Sequence, residues 1–205
     1  MYKLYYLPGT CSLAVHAMLN ELGQDVELIK ATDVANYKET INPTGSVPVL
    51  DDNGTILREG AAIMLHLLEK HDNNMLPKSG AERTNALQWL MIANATVHPA
   101  YSRMFFASRA IEDDAAKKQT IEAAAKNVES LWAGIDKQLS KTAYVCGDKP
   151  TAADFMLTTY ANWGQFFDVE IKLGDNVKRM LKNISALPSY QKALATEQVE
   201  YKAAA

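Results

Sequence analysis

Long apolar runs are missing from this chain of 205 residues, and with them the continuous stretch of roughly 20 residues that a membrane-crossing helix needs. The opening Met1-Tyr2-Lys3-Leu4-Tyr5-Tyr6-Leu7 is cut off by Pro8-Gly9 before the apolar core of a secretory signal can form. Cysteine is scarce. Cys11 and Cys146 are too few for the disulfide framework of a small secreted protein, and the expected location is cytoplasmic. No basic stripe is present: 21 Lys and Arg stand against 24 Asp and Glu, a net charge of −3, which disfavours nucleic acid as a partner. The four histidines, His16, His66, His71 and His98, lack the spacing of a metal site, so no metal is expected. There is no phosphate loop, no G-x-S-x-G elbow, no internal repeat and no low-complexity segment.

What is there alternates cleanly between extended and helical patterns. Residues 2–7 form a short aromatic and aliphatic strand, ended by Pro8-Gly9. Leu13, Val15, Met18, Leu19 and Leu22 then repeat at helical spacing, and Gly23 is a natural stop. Residues 26–29 read as the next strand, so the first unit is a right-handed βαβ crossover with parallel strands. Val47 to Asp51 and Thr55 to Arg58 flank Asp52-Asn53-Gly54, and Asn-Gly is a strong signal for a tight antiparallel hairpin. A helix follows from Gly60 to about His71. This βαβ–ββα order, with Pro48 at the first strand of the hairpin, is the thioredoxin-like arrangement.

Residues 72–80, polar and carrying Pro77 and Gly80, mark the expected boundary between a first domain of residues 1–74 and a second of residues 81–205. The second reads as all-helical. Residues 81–110 predict one long helix or a pair kinked at Pro99. Residues 113–139 carry an apolar stripe at Ile121, Ala124, Val128, Leu131, Ile135 and Leu139. Thr151-Ala152-Ala153-Asp154 has the form of a capping box, with Asp where Glu is usual. Phe155, Met156, Leu157 and Tyr160 make the helix after it a buried one, and residues 176–184 and 188–194 add two shorter helices.

Two places can carry chemistry. Pro48 is a candidate cis peptide, which would turn the Val47 N–H and C=O outward to pair with an extended peptide. Beside it, the first N–H groups of the helix at Gly60 favour a carboxylate. An edge for a peptide backbone next to a cradle for a carboxylate describes a site for a small acidic peptide. Cys11 is the other place. It lies where the first helix begins, and the helix dipole there favours thiolate and lowers a thiol's pKa. No second cysteine follows at C-x-x-C spacing, so Cys11 would form a mixed disulfide or hold another thiol close. Cys146 reads as a buried loop-end residue, His16 as a packed one, and His66 and His71 as surface or cap residues.

Tyr5-Tyr6-Leu7-Pro8-Gly9-Thr10-Cys11-Ser12-Leu13 followed by His16, Asn42-Pro43-x-Gly45-x-Val47-Pro48-x-Leu50, Glu59-Gly60-x-Ala62-Ile63 and Thr151-x-Ala153-Asp154 together resemble the glutathione transferases, most closely the bacterial beta class. The resemblance covers nearly the whole chain. It implies a thioredoxin-like N-terminal domain, an all-helical C-terminal domain, a homodimer, and glutathione as co-substrate whose thiolate adds to an electrophilic carbon. Carried over by position, Cys11 lies beside the glutathione sulfur, and His98 approaches it from the helical domain. Val47 pairs with the tripeptide backbone, with Ser46 and Pro48 beside it. Glu59 and Gly60 hold the γ-glutamyl end, and Lys38 serves the glycyl carboxylate. Tyr6 and Ser12 remain alternatives to Cys11 as the group that activates the thiol. Tyr101, Met104 and Phe105 are expected to line the electrophile pocket.

The chain departs from the class at three places. Pro99 stands where lysine often follows the histidine, Met91 where an asparagine is common, and residues 31–41 form a shorter loop. The expected activity is conjugation of small apolar electrophiles, a detoxifying reaction, with thiol–disulfide or peroxide reduction through Cys11 as an added capacity. Glutathione-dependent isomerisation or dehalogenation is a neighbouring reading. A non-catalytic binding protein on the same fold is the rival from another class.

Overall fold

A computed structural model describes residues 1–204. Four strands, β1 (Tyr2–Tyr6), β2 (Val26–Lys30), β3 (Val49–Asp52) and β4 (Thr55–Arg58), make one sheet in the order β2-β1-β3-β4. β1 runs parallel to β2, with Leu4 opposite Leu28, and antiparallel to β3, with Leu4 opposite Leu50. The parallel pair needs a crossover, which helix α1 (Ser12–Glu21) supplies. The β3–β4 pair needs only a tight turn: Asn53 and Gly54 both take positive φ, 51° and 93°, as a two-residue hairpin of the favoured hand requires. Between β2 and β3 the chain makes a short 3₁₀ turn (Ala31–Asp33) and the single helical turn α2 (Tyr37–Thr40).

Helix α3 (Gly60–Lys70) packs behind the hairpin, and Asp52 ties the two together. Its buried carboxylate accepts hydrogen bonds from Lys70 and from His66. The Lys70 bond first, and then that of His66, hold the Asp52 carboxyl below the usual carboxylate range against the opposing effect of burial.

The rest of the chain is helical: α4 (Gly80–Ile92), α5 (His98–Ala110), α6 (Asp114–Leu139), α7 (Ala152–Ala161), α8 (Asp175–Ser185) and α9 (Pro188–Glu197). The irregularity expected at Pro99 falls just ahead of it, as a π-helical turn over Ala93–Val97. Pro99 has no N–H to offer the carbonyl four residues back, so the turn before it loses its α register. All ten residues of α7 are buried; packed between α1, α4 and α8, it is the central rod of the molecule. Its start is the capping box expected from the sequence. The Asp154 carboxylate accepts from the Thr151 N–H and hydroxyl, each at 2.8 Å, and from the Val145 N–H at 3.0 Å.

One apolar core runs through both halves, from Leu4, Leu50 and Ile63 to Trp132, Phe155 and Leu181. Each such fully buried side chain contributes about 1.5–3 kcal/mol. α1 joins the halves: it meets α3 on the sheet side and both α7 and α9 on the helical side. Among the described residues no helix is long and apolar enough to cross a membrane.

Candidate functional site

The loop before α1 is fastened from the far end of the chain. Glu197 of α9 accepts from the Gly9 N–H at 3.0 Å and meets His16 Nδ1 at 2.9 Å through its other oxygen. The indole N–H of Trp163 donates to Gly9 O at 2.8 Å. His16 therefore holds the buried, satisfied place expected of it, and the loop delivers Cys11 to a fixed position at the head of α1.

On the sheet side, the Val47–Pro48 peptide is cis. Its loop is pinned by two donors to Ser46 O, the buried Asn42 amide at 2.8 Å and the Tyr37 hydroxyl at 3.0 Å. Val47 O accepts the Cys11 thiol at 3.0 Å. The Val47 N–H has no protein acceptor among the described residues. Glu59 sits at the N-cap of α3 with φ +69° and ψ 116°, a conformation that side-chain-bearing residues rarely adopt. It opens the helix so that the Gly60 and Ala61 N–H groups, which also lack acceptors among the described residues, face outward from the helix end.

These pieces meet in one cleft of about 190 Å³, lined by Cys11, Ser46, Val47, Pro48, Glu59, Gly60, Asn94, His98 and Tyr160. Six of the nine come from the sheet half and three from the helices. A larger, more open hollow of about 490 Å³ lies elsewhere, among α7, α8 and the C-terminal segment, and shares none of these residues. The small cleft is the one with the chemistry, because only there, among the described residues, do a thiol, an imidazole, a carboxylate and free backbone groups converge.

The electrostatics of the cleft correct one expectation. Burial pushes the Cys11 thiol up to about 12; the N–H groups of Cys11 and Ser12 at the helix start do pull it down, but desolvation wins, and Glu59 adds to the rise. Cys11 is a protonated donor here, not a thiolate. His98 is shifted the other way: burial lowers its pKa, opposed by the nearby Glu59 carboxylate, so the ring stays neutral near pH 7. Its Nδ1 lies 3.4 Å from Ser102 Oγ, and its ring packs edge-on against Tyr160 and Trp163, with centroids at 5.2 and 5.3 Å.

Several expected residues do not reach the cleft. Ser12 is fully enclosed, its hydroxyl donating to Leu7 O and accepting from the Leu7 N–H. Tyr6 points into the core, where burial raises its pKa. Neither lines the cleft. Tyr101 and Met104 are wholly buried, Tyr101 accepting the Trp132 indole N–H at 2.9 Å; neither lines the small cleft, and Tyr101 borders the larger hollow instead. Phe105 is half-buried in an aromatic wall with Trp163, Phe166 and Phe167. Lys38 is exposed; its stem lies over Gly45, next to Ser46, outside the cleft lining.

Asn94 and Tyr160 are the lining residues that sequence reasoning missed. Asn94 stands one turn before His98, a spacing that could have marked it. Tyr160 is a phenol in a fully buried helix, and its hydroxyl has to find a partner somewhere.

Models of the glutathione S-transferase N-terminal and C-terminal domains match residues 4–75 and 94–188. Glutathione S-transferase GstA of Escherichia coli O157:H7 is 28% identical over 204 residues, spanning 95% of this chain and 98% of its own. The bacterial beta class glutathione S-transferase of Sphingomonas chungbukensis superposes with a TM-score of 0.84 at 27% identity, covering 97% of this chain and 100% of that one. A sphingomonad glutathione S-transferase complexed with glutathione gives the same score, identity and coverage. Among the described residues no group of histidines, cysteines and carboxylates is arranged to hold a metal ion.

Proposed function

We propose, for a chain that belongs to the glutathione S-transferase family of enzymes, that this cleft binds glutathione and adds its thiolate to small apolar electrophiles. The observation that carries the reading is the convergence of Cys11, the Val47 backbone, the N-terminus of α3 and His98 on one cleft across the two halves. At about 190 Å³ the cleft is below the usual range for enclosing a whole ligand. It takes the cysteinyl centre of the tripeptide, and the two ends lie along its rim.

Each group then has a task. Val47 pairs with the cysteinyl residue through its main chain, as an added strand would. Gly60 and Ala61 N–H groups bind the γ-glutamyl carboxylate at the head of α3, and Glu59 accepts from the γ-glutamyl ammonium. Lys38, beside the Ser46 end, attracts the glycyl carboxylate. Neutral His98 accepts the proton that leaves the glutathione thiol, or passes it to solvent. The Cys11 thiol turns to the sulfur as a donor. The sulfur lone pair forms the S–C bond while the electrophile's leaving group departs with its electron pair. Because Cys11 is held as a thiol, we place conjugation ahead of disulfide or peroxide reduction through it. Phe105, with Trp163, Phe166 and Phe167, forms the apolar wall on the electrophile side.

We place the two domains at residues 1–74 and 81–205 and the chain in a homodimer, for which the exposed Met91 and Phe106, 45% and 70% accessible on α4 and α5, offer apolar surface. A cytoplasmic location suits a co-substrate kept reduced. The test is a spectrophotometric assay with an activated aryl halide. Turnover that saturates in both glutathione and halide supports conjugation. Glutathione binding without turnover on aryl halides, epoxides or enones would move the reading to a binding role.

A further inference from the structure

Tyr160 makes a chemical demand that none of its neighbours meets. The residue is 0% exposed, and among the described residues its hydroxyl is the one buried side-chain oxygen or nitrogen without a hydrogen-bond partner. Native interiors satisfy such groups almost without exception, and an orphan in a functional cleft points to a ligand that supplies the partner. Tyr160 lines the cleft beside Cys11, Glu59 and His98, and the ionisable groups that act on its hydroxyl are Cys11 and Glu59, both in the same cleft.

The ring is held before any ligand arrives. Trp163 lies against it at 4.6 Å between centroids and 37° between planes, and His98 meets it edge-on at 5.2 Å. Trp163 is itself locked by its bond to Gly9 O. A donor fixed in advance in a water-poor cleft acts at full strength on charge that develops there. Burial first, and then the nearness of Cys11 and Glu59, raise the phenol's pKa well above its ordinary value, so it keeps its proton and donates. With Cys11 also a donor, the cleft offers two donors to an acceptor atom of a ligand.

We infer that the Tyr160 hydroxyl donates a hydrogen bond to the sulfur of bound glutathione, so that a phenol from the helical half stabilises the thiolate beside Cys11 and His98. The inference rests on the glutathione reading of the cleft. The thiol proton goes to His98 or to solvent, and Tyr160 retains its own throughout. Neither Tyr6 nor Ser12, both enclosed in packing, competes for this role.

The experiment follows the ultraviolet absorbance of the thiolate against pH in the full-length protein saturated with reduced glutathione. Protein saturated with S-methylglutathione, which has no thiol, serves as the blank. In Tyr160→Phe the pKa of the bound thiol should rise by about one pH unit, a tenfold loss of thiolate, while calorimetry shows S-methylglutathione binding within about twofold of wild type, well inside the ~1.4 kcal/mol that a tenfold change represents. An unchanged thiol pKa with both ligands bound would overturn the inference and leave the hydroxyl to the electrophile or to packing. Where Tyr160→Phe does not fold, a more acidic fluorinated tyrosine at position 160 should lower the bound thiol's pKa, and no movement would overturn it equally. Failure of wild type to bind reduced glutathione would remove the underlying reading as well, so the two failures are told apart.

Discussion

The Cys11 thiol donates to the carbonyl oxygen of Val47 at 3.0 Å, the same backbone group that an extended tripeptide has to use. On the glutathione reading proposed above, ligand binding is an exchange: the peptide N–H takes Val47 O, and the released thiol turns to the ligand's sulfur. Removing the thiol removes the competitor for the carbonyl. Cys11→Ala should bind glutathione as tightly as wild type or slightly better, while kcat for conjugation falls about tenfold, the value of one hydrogen bond to a charged sulfur. Calorimetry and steady-state kinetics separate the two effects. A loss confined to affinity would contradict the exchange.

With burial pushing the Cys11 thiol up to about 12, its thiolate fraction near neutral pH is about a thousandfold below that of a free cysteine. Alkylation by iodoacetamide in a Cys146→Ala background should be slow, and should keep accelerating with pH up to about 10, where a free thiol has already levelled off. A plateau near neutral pH would mean that the helix dipole prevails over burial after all.

Glu59 holds φ at +69°, and such a backbone costs of order 1–3 kcal/mol. Glycine relieves that strain but removes the carboxylate from the cleft. Glu59→Gly should melt a few degrees higher and bind glutathione at least about tenfold more weakly, a loss of ~1.4 kcal/mol. A variant with unchanged affinity would show that the carboxylate takes no part in the site.

Much of this was readable from residues alone. The hairpin turn at Asn53-Gly54, the crossover through α1 and the capping box at Thr151 and Asp154 all follow from local chemistry that few tertiary contacts can override. The π-turn at Ala93–Val97 was visible only as a proline effect, and it falls just ahead of Pro99 instead of at it. Tyr6, Ser12, Tyr101 and Met104 lie outside the cleft lining for one reason. Whether a side chain faces a cleft or a core is decided by elements far along the chain: α7 and α9 pack on α1, and α6 packs on α5. The Cys11 pKa failed for the same reason: helix position is legible in sequence, and desolvation is not.

Asp154 offers a pH test of the central helix. Full burial raises its carboxyl to about 6 despite three stabilising hydrogen bonds. Between about pH 4 and this value the folded protein holds a proton that the unfolded chain has released, so Asp154's contribution to stability falls as pH rises through that window. Urea midpoints should show wild type losing stability relative to Asp154→Asn across it. A relative gain with rising pH would mean that the hydrogen bonds outweigh burial. Asp154→Ala should cost about 2–4 kcal/mol, since it strands the Val145 and Thr151 N–H groups.

The most direct measurement is a calorimetric titration of the full-length protein with reduced glutathione, beside an oxidised-glutathione control. One saturable site per chain, weakened in Glu59→Gly, is the predicted result. No heat of binding at millimolar glutathione would contradict the account and leave the fold serving some other ligand.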